Sequence, residues 1–185
     1  MKIGAIFLCL LLLFTGCDSA SELERGMALR TSVLGVQKCS MDAHITANYA
    51  DSVCMFSMEC SFDQMGMLSF TVLNPESIAG ITGSISSDKG MITFDDTVLY
   101  FDLLADGQLS PVSAPWIFMR ALRGGYLRAA GMEEDFLRIT VDDSYSDDAL
   151  QLDVWLNNEN IPGSAEILFR GSRILSMKIE NFRIL

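Results

Sequence analysis

From Ser40 onward, apolar side chains recur at every second position in short runs, and that period restricts the fold more than any other feature. Met41, Ala43, Ile45, Ala47 and Tyr49 alternate with Ser40, Asp42, His44, Thr46 and Asn48. Successive side chains of a strand point to opposite faces, so this pattern describes strands buried on one face and wet on the other. Cys54, Phe56, Met58, Cys60 and Phe62 repeat it, as do Leu68, Phe70 and Val72 after a turn over residues 63–66. Asn74-Pro75 breaks the run, and a glycine-containing strand is expected over residues 78–86. Asp88-Lys89-Gly90 and Asp95-Asp96 then turn the chain into strands over 91–94 and 97–104. Later runs carry Leu137, Ile139 and Val141, then Leu150, Leu152, Val154 and Leu156, then Ala165, Ile167 and Phe169. The last run, Leu175, Met177 and Ile179, changes parity to Phe182 and Ile184, which a bulge near Asn181 explains. Short one-sided strands separated by turns build an up-and-down antiparallel sheet, here of about ten strands.

Two segments break that period. Ser21-Glu22-Leu23-Glu24 has the form of a capping box and predicts a helix over 22–34, stopped at Gly35. Its apolar stripe is modest, so it is expected to lie on the domain surface. Ser110 reads as an N-cap and Pro111 as the first position of a second helix over 111–123, ended by Gly124-Gly125. Val112, Trp116, Ile117, Phe118, Met119, Ala121 and Leu122 leave that helix little polar circumference, so burial on most sides is expected.

The N-terminus is of another kind. Lys2 precedes an apolar run over 3–14, followed by the small pair Thr15-Gly16 and then Cys17. This is the layout of a removable secretory leader, too short for a permanent membrane span. A cysteine directly after the cleavage point resembles the bacterial lipoprotein signal, in which the thiol takes a diacylglycerol; Phe14 stands where Leu is more usual. The expected division is a leader over 1–16, a lipid anchor and tether over 17–20, and one domain over 21–185. Loss of Lys2 takes the net charge from -11 to -12. Such a charge disfavours nucleic acid and repels an anionic membrane surface, so the lipid at Cys17 must supply the attachment.

Of five cysteines, Cys9 leaves with the leader and Cys17 is the anchor. Cys39, Cys54 and Cys60 allow at most one bridge, Cys39–Cys60 or Cys39–Cys54, and buried thiols are the expectation. No cofactor or metal site is expected. His44 is the single histidine and falls on the polar face of its strand, so no histidine-based zinc cluster can be built; a hydrolytic triad would have to use it, and no GxSxG elbow accompanies it. The acidic run over 142–148 lacks the glycine and terminal glutamate of a calcium loop and reads as a solvated hairpin tip. The chain is not expected to be an enzyme.

The eleven methionines are more informative. Met41, Met58, Met91, Met119 and Met177 are expected to point inward beside Phe56, Phe70, Phe94, Trp116 and Phe118. Flexible thioethers repack around different shapes, so Met41, Ile45, Phe56, Met58, Phe70, Phe94, Trp116, Phe118, Met119 and Met177 are the candidate lining of a hydrophobic ligand site. The same positions equally describe an ordinary core. Arg120, Arg123 and Arg128 form a small basic group, available to an anionic head group or partner, or to Glu133, Glu134 and Asp135 nearby.

The order of helix, antiparallel sheet and inserted apolar helix is similar to the LolA/LolB-type lipoprotein-localisation fold. The stretch Thr71-Val72-Leu73-Asn74-Pro75-Glu76-Ser77-Ile78-Ala79-Gly80-Ile81 resembles segments of LolA-like lipoproteins of clostridia and related bacteria. So do Gly107-Gln108-Leu109-Ser110-Pro111 and Asn160-Ile161-Pro162. The resemblance implies a mainly β fold with α, its curved sheet forming an incomplete barrel around a concave apolar face. It also implies a membrane-anchored extracytoplasmic lipoprotein that binds an acyl chain or lipoprotein. The alternative it offers is a non-enzymatic scaffold for a cell-envelope or spore-cortex enzyme, by analogy with LolA-like germination lipoproteins that support a cortex amidase. The expected partners are therefore the membrane through the lipid anchor, a lipid or acyl ligand, and an envelope enzyme, but no nucleic acid.

Overall fold

A computed structural model describes residues 18–49, 52–87, 89–94, 96–102, 104–105, 108–146 and 149–185. The leader and Cys17 lie outside the described residues. Helix α1 (Asp18–Leu34) opens the chain, followed by six strands: β1 (Lys38–Tyr49), β2 (Ser52–Asp63), β3 (Leu68–Asn74), β4 (Thr82–Ser86), β5 (Lys89–Phe94) and β6 (Thr97–Asp102). A two-stranded hairpin, β7 (Leu104–Ala105) with β8 (Gln108–Leu109), leads through a 3-10 turn (Pro111–Ser113) into helix α2 (Ala114–Gly124). Five strands complete the chain: β9 (Tyr126–Glu133), β10 (Phe136–Asp142), β11 (Leu150–Leu156), β12 (Pro162–Phe169) and β13 (Ser172–Ile184).

Eleven of the strands form one sheet in the order β6-β5-β4-β3-β2-β1-β13-β12-β11-β10-β9, every neighbour antiparallel and the sheet not closed into a barrel. Two meanders meet where the first strand pairs with the last. Alternation makes this possible: along β1, Cys39, Met41, Ala43, Ile45 and Ala47 are buried while their neighbours are not. Burial of one face of the central strands is the main favourable term in assembling such a sheet. At Asn181 the backbone takes φ 51°, and the β1–β13 register shifts between Ser40 and Asp42, so the bulge expected there is present. Asn181 Nδ2 donates to Asp42 Oδ2 at 2.6 Å across it.

Both helices cover the same face. α2 packs against β10, β12 and β13, and α1 against β9, β10 and α2. Arg30 Nε donates to the Leu122 carbonyl at 3.0 Å, placing a cation at the C-terminal end of α2, where the helix dipole favours it. Arg25 ties α1 to the β11–β12 turn through Asn160 Oδ1 at 2.8 Å and the Asn157 carbonyl at 3.2 Å.

The expected outline needs four corrections. α1 is helical throughout Asp18–Leu34, so Ser21 lies within the helix and not at its start. Ser110 makes no side-chain cap; its carbonyl instead accepts from the Ser113 amide at 3.0 Å, and Pro115 stands in the first turn of α2. Strand β9 was not expected, because its residues do not alternate. Met91 pairs with Ser84 and Tyr100 in the outward row of the sheet, whereas Gly90 takes the inward position. There the Phe101 ring lies 2.0 Å from where a Cβ of Gly90 would be, and the Phe70 ring stands 2.4 Å from the same point on Gly83. Two glycines thus let two cross-strand aromatic rings lie flat on the sheet.

Candidate binding surfaces

Nine of the ten candidate lining residues come together in one core. Met41 and Ile45 on β1, Phe56 and Met58 on β2, Phe70 on β3 and Met177 on β13 are buried, as are Trp116, Phe118 and Met119 on α2. α2 is buried along most of its length: Ala114, Pro115, Ile117, Ala121 and Leu122 are buried as well, and Phe118 meets Phe182 edge to face at 6.4 Å and 88°. Phe94 stands apart. Its strand position faces the helices, yet it is 46% exposed at the end of β5, next to the sheet margin.

That margin carries apolar surface which the sequence reading did not single out. On β6, Val98 is 46%, Leu99 61% and Tyr100 81% exposed. The signal was available in the run Thr97-Val98-Leu99-Tyr100-Phe101, which is apolar on both faces, as a core strand would be. On the outward face a groove of about 640 Å³ runs over Ser164 and Ser176, with His44 and Lys178 on one side and Trp155 and Phe136 on the other. A second groove of about 440 Å³ crosses Thr71, Thr82 and Thr93. Both mix polar and apolar walls.

The charged groups are mostly satisfied by one another. Asp153, 1% exposed, accepts from Arg138 Nη2 at 2.6 Å and from Thr140 Oγ1 at 2.7 Å. Arg138 also reaches Glu133 at 3.3 Å, and its guanidinium lies 5.4 Å from the Trp155 ring centre. The hydrogen bond to Asp153 raises the Arg138 pKa further above its ordinary value. Arg120, Arg123 and Arg128 do not gather on Glu133–Asp135. Arg120 lies 5.1 Å over the Trp116 ring, Arg123 donates to the Gln64 carbonyl, and Arg128 approaches Gln151 and Asp142 at 3.4 and 3.8 Å. His44 is exposed, as expected, and meets Glu180 at 3.4 Å. Hydrogen bonds from Lys178 and His44 hold the Glu180 carboxyl below the usual range.

Cys39, Cys54 and Cys60 are free thiols. Cys39 and Cys60 are buried and Cys54 is exposed, which corrects the expectation of burial for that one. Burial pushes Cys39 up to about 11 and Cys60 higher still. Among the described residues no group of His, Cys, Asp and Glu is placed to hold a metal, and no helix is long and apolar enough to cross a membrane.

No protein-family model matches the chain, and no curated protein matches it in sequence. Solved structures are similar to it. A putative outer membrane lipoprotein-sorting protein domain from Vibrio parahaemolyticus is 9% identical, covering 90% of this chain and 93% of its own, with a TM-score of 0.49. A LolA superfamily protein from Nitrosomonas europaea is 7% identical over 86% and 93%, with a TM-score of 0.46. The GerS lipoprotein of Clostridioides difficile, solved in complex with the CwlD amidase, gives 12% identity, 89% and 96% coverage and a TM-score of 0.43. The sheet is open and antiparallel with one flanking and one inserted helix, the layout that the sequence led us to expect.

Proposed function

We propose that this protein is a membrane-anchored extracytoplasmic lipoprotein, non-enzymatic, whose sheet is a rigid platform for a protein of the cell envelope. In this reading residues 1–16 are a leader, Cys17 carries the lipid, and α1 starts directly after it, so the sheet is held close to the bilayer. The observation that carries the platform is the occupancy of the inner face. Trp116, Ile117, Phe118, Met119 and Leu122 of α2, which packs on β10, β12 and β13, are buried in one core with the apolar side chains of β1, β2 and β13. An interior at native packing density offers no room to cargo without first losing those contacts. Exposed apolar residues lie instead on the surface, at Phe94 and along β6.

Mild cross-linking of intact membranes followed by affinity purification tests this. The expected result is a single partner at fixed stoichiometry; recovery of the chain alone would remove the platform.

A second reading, a binder of acyl chains, is favoured by one specific observation. Met41, Met58, Met119 and Met177 share one buried core with α2, and methionine-rich cores repack easily. Ligand entry would then require α2 to move, with Phe94 at the rim. Quenching of Trp116 by an added spin-labelled fatty acid would support that reading over the first.

A further inference from the structure

The two edges of the open sheet are built differently. β9, at one end, lies under α1, carries the exposed charges Arg128 and Glu133, and is offset by a register shift against β10. Charge, irregularity and a covering helix are the usual means of stopping a sheet edge from recruiting another strand. β6, at the other end, has a charge only at its last residue, Asp102, and among the described residues neither a register shift nor a covering helix. It pairs with β5 in unbroken register from Lys89–Asp102 to Phe94–Thr97. Among the described residues β5 is its single strand neighbour. Its middle residues, Val98, Leu99 and Tyr100, are apolar and exposed, and its length of roughly 20 Å is that of an ordinary pairing strand.

Charge decides what can pair there. Asp96 stands exposed before β6 and Asp102 exposed at its end, in a chain of net charge -11. A second copy is a poor occupant. Antiparallel pairing centred on Leu99 brings Asp96 of one copy beside Asp102 of the other, and parallel pairing sets Asp102 against Asp102. Like charges facing across a pair destabilise it. An extended segment with β-branched or aromatic residues in its middle and Lys or Arg at its ends satisfies both the free backbone groups and the two carboxylates.

We infer that β6 is the docking edge of the platform, and that it takes such a basic-ended strand from the partner protein as a twelfth strand of the sheet. This rests on the platform reading and adds the place and chemistry of the contact.

The test uses the membrane-extracted protein and a short probe peptide of alternating valine and threonine flanked by lysine pairs, with a glutamate-flanked peptide as control. The lysine peptide should bind by fluorescence anisotropy, and the β6 amides should gain protection from hydrogen exchange. The double variant Val98→Lys, Tyr100→Lys changes two exposed side chains and should weaken binding by about tenfold or more. Three results overturn the inference: equal binding of both peptides, protection that appears elsewhere than β6, or dimerisation through β6 that the variant abolishes. In cross-linked membranes the variant separates the two claims. A partner retained by the variant as by the parent removes the edge and leaves the platform, whereas no partner with the parent removes the platform itself.

Discussion

Gly125 stands where α2 hands the chain to β9, and its amide donates to the Ala121 carbonyl at 2.8 Å. A Cβ there would lie 2.7 Å from that same oxygen, 2.8 Å from the Asp142 carbonyl and 2.6 Å from Val141 Cγ1. Two of the three are backbone atoms that cannot step aside. Gly125→Ala should therefore cost about 1–3 kcal/mol in denaturant unfolding. Gly124→Ala, where nothing lies within 4 Å, should be neutral or slightly stabilising. The thiols give a second prediction at this scale. With its pKa raised to about 11, Cys39 at pH 8 is about one part in a thousand thiolate, and Cys60 less. Of Cys39, Cys54 and Cys60, only Cys54 should react promptly with a maleimide in the native protein, and all three after unfolding. Prompt labelling of Cys60 would contradict the packing of β2.

Among the elements, α2 is buried along most of its length. Phe118 is fully buried in it and meets Phe182. Phe118→Ala should lower stability by about 3–5 kcal/mol. In a Trp155→Phe background it should also red-shift the emission of Trp116; an unshifted spectrum would mean that α2 does not seal the inner face. How far the elements could be read beforehand follows from how they are buried. β1, β2, β10, β11 and β13 have one dry and one wet face, so their side chains alternate and their existence is written in the sequence. β9 is an edge strand none of whose residues is fully buried, so Tyr126-Leu127-Arg128-Ala129-Ala130-Gly131-Met132-Glu133 carries no period. The start of α1 was misplaced because Ser21-Glu24 satisfies the capping pattern without being at the helix end. For the candidate lining, local pattern identified the inward side chains at nine positions. Whether they enclose a space or fill it depends on where α2 docks, a tertiary matter that no local period records. Phe94 differs because it lies beyond the reach of that helix.

At the scale of the whole molecule, an acidic domain presents one face covered by its helices over β9, β10, β12 and β13, one outward face with shallow grooves, and one edge, β6, with exposed apolar residues. In the platform reading, recognition lies on the exterior. Attraction of a basic-ended strand to Asp96 and Asp102 should weaken as salt rises, because exposed charges are screened within about 10 Å at 0.1 M. Apolar filling of the interior by an acyl ligand would show the opposite indifference to salt. The most direct measurement is native mass spectrometry of the lipoprotein gently extracted from its own membranes. The account predicts the mass of the chain with its covalent lipid plus one protein partner, and no additional acyl ligand. A chain that retains fatty-acyl or lipid mass in place of a protein partner would contradict it.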